Sequence, residues 1–261
     1  MVRRNIIVYD IKGKYKRSFR YLPGSLFTRI YLYNDQYLLC YDEHTDDFEK
    51  EMHPFKVISK MSGQLMKSLD IPFSKRISYR ILLNEGGNTQ MFFPDPKPEP
   101  AVKNGNQWIL NEISSDTIYQ LSNDFHLTPV MAQIPSVQSM GENPTYIVFV
   151  LDSYHYQFMY IQKKEFDKKT RTGFPITATI VYDKKTGKIN EQNFYDSNRP
   201  DKSCDISFNK TINSSAYFDL FPANRLKGYL EKKQLTGQLK EIAEKINEDD
   251  NPVLMIVTFK K

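Results

Sequence analysis

The chain has 261 residues and a formal net charge of +5, from 36 basic and 31 acidic side chains. The excess of basic residues is mild and spread over a mixed surface, unlike the basic stripe of a nucleic-acid interface. We therefore expect no nucleic-acid partner. The chain also has 17 Tyr and 17 Phe against one Trp. These residues suit half-buried pleated surfaces and favour an all-β fold. We find no apolar run long enough to cross a bilayer, and we expect no transmembrane segment.

A hairpin pattern recurs along the chain, each copy with a β-rich strand, a tight turn and a second strand. Gly13, Gly63, Asp124 and Gly187 hold equivalent turn positions, roughly 50 to 60 residues apart. A repeat of this kind is typical of stacked β-sheets, above all of a β-propeller. In chain order, the predicted strands are 5–10, 14–21, 28–33, 37–41, 55–59, 65–69, 78–83, 108–112, 117–121, 127–134, 146–151, 156–162, 176–182, 189–195, 204–208, 216–221 and 253–259.

Two segments interrupt the strand pattern. One is an insert, 85–106. Within it, Pro94, Pro96, Pro98 and Pro100 alternate with polar residues, and this stretch predicts an extended surface loop. After Pro222, apolar residues recur at helical spacing. They predict an amphipathic helix over about 224–247, broken near Gly237 and packed on the outside of the last sheet. The apolar residues of this helix are Leu226, Leu230, Leu235, Leu239, Ile242 and Ile246.

The predicted strands are too few for a complete ring. They number about 17, whereas six blades of four strands need about 24. We therefore expect residues 1–261 to form one propeller domain, an open arc of about four blades without its N-terminal blade or blades. Open sheet edges at 5–21 and 253–259 predict self-association.

Turn-and-strand motifs at 37–42, 54–60 with Gly63, 115–119, 181–188 and 251–254 span nearly the whole chain. Together they resemble the C-terminal part of the TolB-like six-bladed β-propeller family, found mainly as lipoproteins of Bacteroidota. The resemblance implies a place in the cell envelope, in the periplasm or at the outer membrane. Members of the family usually begin with a lipoprotein signal and an N-terminal blade, and this sequence shows neither.

The sequence carries no recognisable catalytic or metal-ligand motif. The histidines His44, His53, His126 and His155 lack metal-ligand spacing. The acidic stretch 42–51 offers carboxylates to a cation, but it lacks the EF-hand glycine and ligand order and favours a solvated loop. We find no Gly-rich phosphate loop and no Gly-x-Ser-x-Gly elbow. We therefore predict no metal, no cofactor and no catalytic residue.

The basic stretch 163–171 favours a flexible charged loop over a site for an anionic surface. Cys40 and Cys204 form one potential pair, far apart in sequence, and leave the redox compartment open.

The geometry of a propeller selects the candidate binding residues. The innermost strand of each blade lines the central channel, where ligands tend to bind. On the predicted strands, Arg29, Arg80, Asp152 and Asp205 face this channel. Arg29 and Arg80 hold similar positions in successive units and fit an anionic ligand. The alternative is that both arginines cap strands or join neighbouring blades through ordinary ion pairs.

These observations favour a non-catalytic extracytoplasmic propeller, a binding or scaffold module whose ligand is an unknown protein or glycan. One alternative is a hydrolase or lactonase with its site in the central channel, an idea that rests on fold analogy alone. Another is a fragment without independent function. A bound cation among channel carboxylates would indicate the enzyme, and a broad polar or aromatic channel face would indicate the binding module.

Overall fold

The computed structural model describes residues 5–43, 53–94, 97–104, 107–192, 211–213 and 216–258. In these residues the chain is mostly β-strand, arranged as small antiparallel sheets, with two short α-helices. The all-β prediction is therefore confirmed.

The chain begins with a two-stranded hairpin packed on a four-stranded sheet. The strands are β1 (Asn5–Tyr9) and β2 (Tyr15–Arg20), followed by sheet I, a meander of β3 (Phe27–Leu32), β4 (Tyr37–Asp42), β5 (Phe55–Ser59) and β6 (Leu65–Leu69). Phe19 of the hairpin packs against buried Phe27 and Ile58. A Cβ atom on Gly63 would overlap the Phe19 ring, and the φ of Gly63 is +74°. Glycine is therefore required where the hairpin approaches sheet I.

The third unit differs from the prediction. The predicted strand 78–83 does not open the next sheet: β7 (Ile81–Glu85) pairs with β8 (Asn88–Phe92) in a separate hairpin. Gly86 and Gly87 have φ of +57° and +82°, so the chain reverses at once after β7. Sheet II then consists of β9 (Ala101–Asn104), β10 (Gln107–Leu110), β11 (Thr117–Leu121) and β12 (Leu127–Ala132). The insert 85–106 thus contains two strands, β8 and β9, that the sequence did not predict. The described residues of its proline-rich stretch form no strand, as predicted, but Pro94, Pro98 and Pro100 are buried, so its prediction as a surface loop was wrong.

A 3₁₀ turn (Val137–Ser139) leads into the next sheet. Sheet III is a meander of β13 (Thr145–Asp152), β14 (Tyr156–Lys163), β17 (Ile176–Asp183) and β18 (Lys188–Glu191), with the small hairpin β15 (Phe166–Asp167) and β16 (Thr172–Gly173) inserted in it. The sequence predicted only a charged loop at this insertion. The Phe166 ring centroid lies 4.4 Å from that of Phe92 in β8, and this apolar contact helps to order the insertion.

The last sheet carries the helices. Sheet IV contains β19 (Thr211–Asn213), β20 (Ala216–Phe221) and β21 (Val253–Thr258), with α1 (Ala223–Glu231) and α2 (Gly237–Lys245) between β20 and β21. The predicted helical segment is confirmed, including its break before Gly237. Leu226 and Leu239 pack with Phe221 and Met255, so the helices lie on this sheet. They use the face of β21 that also carries Val257 toward sheet III, so the predicted position on the outside of the sheet was wrong. The predicted strand 204–208 lies outside the described residues.

Consecutive sheets pack face to face in chain order. In β10, Trp108 and Leu110 join the core shared with sheet I, whereas Ile109 between them packs against Met159 of sheet III. This alternation is the two-residue period of a strand buried on both faces. Val257 of sheet IV in turn packs against the core of sheet III. The core therefore consists of successive layers between sheets.

The first strands of neighbouring sheets meet at one edge of this stack. Tyr31 of β3 donates a hydrogen bond to Glu99, which lies just before β9. Strand β9 contacts β13, and the Asn111 side chain donates a hydrogen bond of 2.9 Å to the carbonyl oxygen of Ile147 in β13. Among the described strands, β1–β2 and β19–β21 belong to separate sheets, so the pairing does not close into a ring.

Candidate functional site

The structure brings two of the four predicted site residues to the same region. Arg29 lies on β3, and Arg80 lies just before β7. Both guanidinium groups act on the pKa of the Tyr79 hydroxyl, which places them near the same side chain. Asp152 ends β13, where its carboxylate lies 2.5 Å from the ammonium group of Lys184. Asp205 lies outside the described residues.

Three clusters of one chemical type join sheet I, sheet II and the linker between them. In each cluster a glutamate meets both an arginine guanidinium and a tyrosine hydroxyl. We name them by depth: the buried triad is Arg76, Glu112 and Tyr41; the middle triad is Arg80, Glu43 and Tyr79; the outer triad is Arg29, Glu99 and Tyr31.

In the buried triad, both carboxylate oxygens of the glutamate are engaged. Glu112 is 0% exposed; its Oε2 accepts from the Tyr41 hydroxyl at 2.8 Å and from Arg76 Nη2 at 3.3 Å. Its Oε1 accepts from the backbone N–H and the hydroxyl of Ser114. Burial and the Glu112 charge raise the pKa of Tyr41 well above its usual value. Because Glu112 is fully buried with both oxygens engaged and the Arg76 side chain is only 11% exposed, this cluster is suited to stabilising the fold and not to binding a ligand.

The middle triad is only partly buried. Arg80 Nη2 donates to Glu43 Oε1 at 2.9 Å, and the Tyr79 hydroxyl donates to Glu43 Oε2 at 3.0 Å. Burial first, and the Glu43 charge second, raise the pKa of Tyr79 to about 12. The hydroxyl therefore remains a donor at neutral pH. Glu43 fixes the Arg80 side chain, which remains 24% exposed.

The outer triad is the most accessible. Arg29 Nε lies 3.7 Å from Glu99 Oε2, and the Arg29 side chain is 41% exposed. Burial raises the pKa of Glu99, an effect that the hydrogen bond from Tyr31 and the charge of Arg29 do not fully offset. Burial and the charge of Glu99 raise the pKa of Tyr31. Arg29 is thus loosely paired and retains donors for another partner.

Two neighbouring aromatic rings with a cation at each end form a row that begins at the middle triad. The Arg80 guanidinium lies 5.8 Å from the Tyr79 ring centroid, and the centroids of Tyr79 and Phe93 are 6.1 Å apart. The Lys97 ammonium group lies 4.6 Å from the Phe93 centroid. Phe93 is 42% exposed. We call Arg80, Tyr79, Phe93 and Lys97 the cation–aromatic row.

Sequence reasoning missed the outer half of this row. Phe93 and Lys97 lie in the proline-rich segment that was predicted to be a plain surface loop. The same segment supplies Glu99 to the outer triad. The sequence did contain a signal for a binding surface here, because an aromatic residue and a lysine lie beside the alternating prolines. Their meeting with Tyr79 depends on the β7–β8 hairpin, which the sequence did not reveal.

The predicted acidic loop has its described carboxylates in ion pairs. Asp42 Oδ2 accepts from Lys56 Nζ at 2.9 Å, and Asp42 Oδ1 accepts from the backbone N–H of Leu26 at 2.7 Å. Burial alone would raise the pKa of Asp42, but these hydrogen bonds and the Lys56 charge outweigh it and lower the pKa. Residues 44–52 lie outside the described part. Within the described ranges, no group of three or more potential ligands is placed to hold a metal ion.

Cys40 is a buried free thiol whose pKa is raised to about 12, chiefly by burial. Cys204 lies outside the described residues. None of the helices in the described ranges has the length and apolar character needed to cross a membrane.

Comparison with known proteins identifies a similar fold. No family model matches the chain, and no curated protein matches it either. Among solved structures, the chain is similar to a crystal structure of a "putative exported protein" from Bacteroides fragilis. The TM-score is 0.62 and the sequence identity 15%, over 98% of this chain and 72% of the other. At this identity the likeness establishes a shared fold: an all-β protein of consecutive antiparallel sheets.

Proposed function

We propose that the chain is a non-catalytic extracytoplasmic binding module, built as an arc of a TolB-like six-bladed-type β-propeller. Two features support the architecture: the meander order within sheets I to III, and the meeting of their first strands at one edge. Radial packing of blades about a common axis produces both. The Bacteroides fragilis neighbour is described as exported, and this supports a place in the cell envelope.

The ligand that fits best is an anionic glycan. The observation that carries this proposal is the cation–aromatic row with Arg29 beside it. Guanidinium groups bind carboxylates through paired hydrogen bonds, and exposed aromatic faces suit the apolar faces of sugars. Glu43 and Glu99 orient the two arginines. The arginine side chains therefore lose less conformational entropy when a ligand binds.

Titration calorimetry with polygalacturonate tests this function, with neutral dextran as the uncharged control. We expect the chain to bind polygalacturonate and not dextran. The affinity for polygalacturonate should fall about tenfold or more in the Arg80→Gln/Lys97→Gln variant. Arg225→Gln is the matched control, because Arg225 also lies over a tyrosine ring, at 5.6 Å from the Tyr229 centroid, but on α1. This control should bind as the unchanged chain does.

Two outcomes would contradict the proposal. Equal binding by the Arg80→Gln/Lys97→Gln variant and the unchanged chain would place the site elsewhere. Release of new reducing ends from polygalacturonate would favour the alternative hydrolase.

A further inference from the structure

The two terminal layers of the stack each expose an apolar face. In the first hairpin, Ile6 and Phe19 point toward sheet I, whereas Ile7, Tyr9 and Tyr15 lie on the opposite side and are 53–56% exposed. The pairs Ile7↔Ser18 and Tyr9↔Tyr15 place these residues on one side. We call Ile7, Tyr9 and Tyr15 the hairpin face.

Sheet IV repeats this arrangement at the other end. On β21, Met255 and Val257 pack against the helices and sheet III. Leu254 and Ile256 alternate with them and are 53% and 56% exposed. Because successive side chains of a strand point to opposite faces, these two form an outward apolar stripe. We call Leu254 and Ile256 the terminal face.

The surroundings of the two faces carry opposite charge. Arg20 pairs with Asn5 in register and therefore shares the side of the hairpin face, and three further basic side chains are exposed nearby. These are Lys12, Lys14 and Lys16, of which Lys16 pairs with Asp10 of the same hairpin at 3.5 Å. The loop before β21 contains three consecutive exposed acidic residues, which are Glu248, Asp249 and Asp250. One terminal layer is thus apolar with a basic border, and the other is apolar with an acidic border.

We propose that these faces bind each other between two copies of this chain, with the hairpin face of one copy on the terminal face of the next. Face-to-face packing of sheets is the contact already used between all the inner layers. Complementary borders favour the unlike pair of faces and disfavour the like pairs, which would bring equal charges together. The contact is heterologous, so it generates short chains or a ring of copies.

Sedimentation velocity over a concentration series tests the proposal. We expect the weight-average mass of the unchanged chain to rise with concentration, and the association to weaken at high salt because the borders are screened. Two variants each disable one face: Ile7→Ser/Tyr9→Ser on the hairpin face, and Leu254→Ser/Ile256→Ser on the terminal face. Each variant alone should remain monomeric over the concentration range in which the unchanged chain associates.

Mixing the two variants is the decisive step. Each retains the face that the other lacks, so an equimolar mixture should form a dimer of one copy of each. Ile189→Ser is the matched control, because Ile189 on β18 is similarly exposed, and it should associate as the unchanged chain does. Should the terminal-face variant fail to fold, the loop variant Glu248→Lys/Asp249→Lys/Asp250→Lys replaces it and should also lose association. Should the hairpin-face variant fail to fold, Lys12→Glu/Lys14→Glu replaces it in the same way.

Three results would overturn the proposal. The first is an unchanged chain that stays monomeric at the highest concentration. The second is self-association of either single-face variant, which would indicate contact between like faces. The third is a mixture that remains monomeric.

Discussion

The buried and outer triads contain the same three residue types but differ in depth. Glu112 is fully buried with every oxygen engaged, whereas Arg29 is partly exposed and 3.7 Å from its glutamate. A buried charge that loses its partner is costly, whereas an exposed ion pair contributes little to stability. The comparison teaches that depth, and not residue type, separates the arginine that stabilises the fold from those available to a ligand.

Removing the charge of Glu112 should have the largest effect. The Glu112→Gln variant keeps the shape but leaves Arg76 as an unpaired buried cation, and we expect a loss of about 3–5 kcal/mol in the free energy of unfolding. Urea unfolding measures it. In the double variant Arg76→Met/Glu112→Gln the loss should be smaller than the sum of the two single losses. Additive losses would show that the two side chains do not interact.

Removing the glutamate charge of the middle triad should cost less stability than removing that of the buried triad. In Glu43→Gln, Arg80 keeps part of its exposure to water, so we expect a loss of about 2 kcal/mol, typical of a hydrogen bond to a charged group. The same urea titration measures this loss. A loss equal to that of Glu112→Gln would contradict the order of depth.

The pH dependence of stability should have opposite sign at Asp42 and Glu99. The pKa of Asp42 is lowered in the fold, so its stabilising contribution is present above its usual pKa of 3.8 and is lost as pH falls. The pKa of Glu99 is raised, so stability decreases as pH rises from its usual pKa of 4.5 to the raised value. Urea unfolding from pH 3 to 7 should show Asp42→Asn approaching the unchanged chain at low pH. The free energy of unfolding of Glu99→Gln should increase relative to that of the unchanged chain as pH rises. If the free energy of unfolding of either variant ran parallel to that of the unchanged chain from pH 3 to 7, the direction of that residue's pKa shift would be contradicted.

The outer triad should contribute least to stability. Arg29→Gln should change the free energy of unfolding by less than about 1 kcal/mol, as is typical of exposed ion pairs. The same variant should weaken binding of polygalacturonate in calorimetry. Loss of stability without loss of binding would make Arg29 a structural residue.

The sequence predicted sheets I and III well because their strands are separated by strong turn signals and alternate with period two. It failed in the third unit because the apolar run 81–83 shows that a strand exists but not which strand it pairs with. Only the double glycine at 86–87 indicated an immediate reversal.

The candidate site was predictable in part. Arg29 and Arg80 were selected from their positions in the repeat, and their role in binding stays a prediction. Their carboxylate partners were not foreseen, because Glu99 is distant from Arg29 in sequence and Glu43 is distant from Arg80. Such pairs arise from packing between sheets, which a strand pattern does not encode.

Hydrogen exchange of the full chain with and without polygalacturonate tests the account most directly. We predict that saturating polygalacturonate slows exchange in 27–32, 78–82 and 97–104, the segments that carry the outer triad and most of the cation–aromatic row. Exchange in 107–121, which surrounds the buried Glu112, should not change. Protection confined to other segments, or no protection at a concentration where calorimetry shows saturation, would contradict the account.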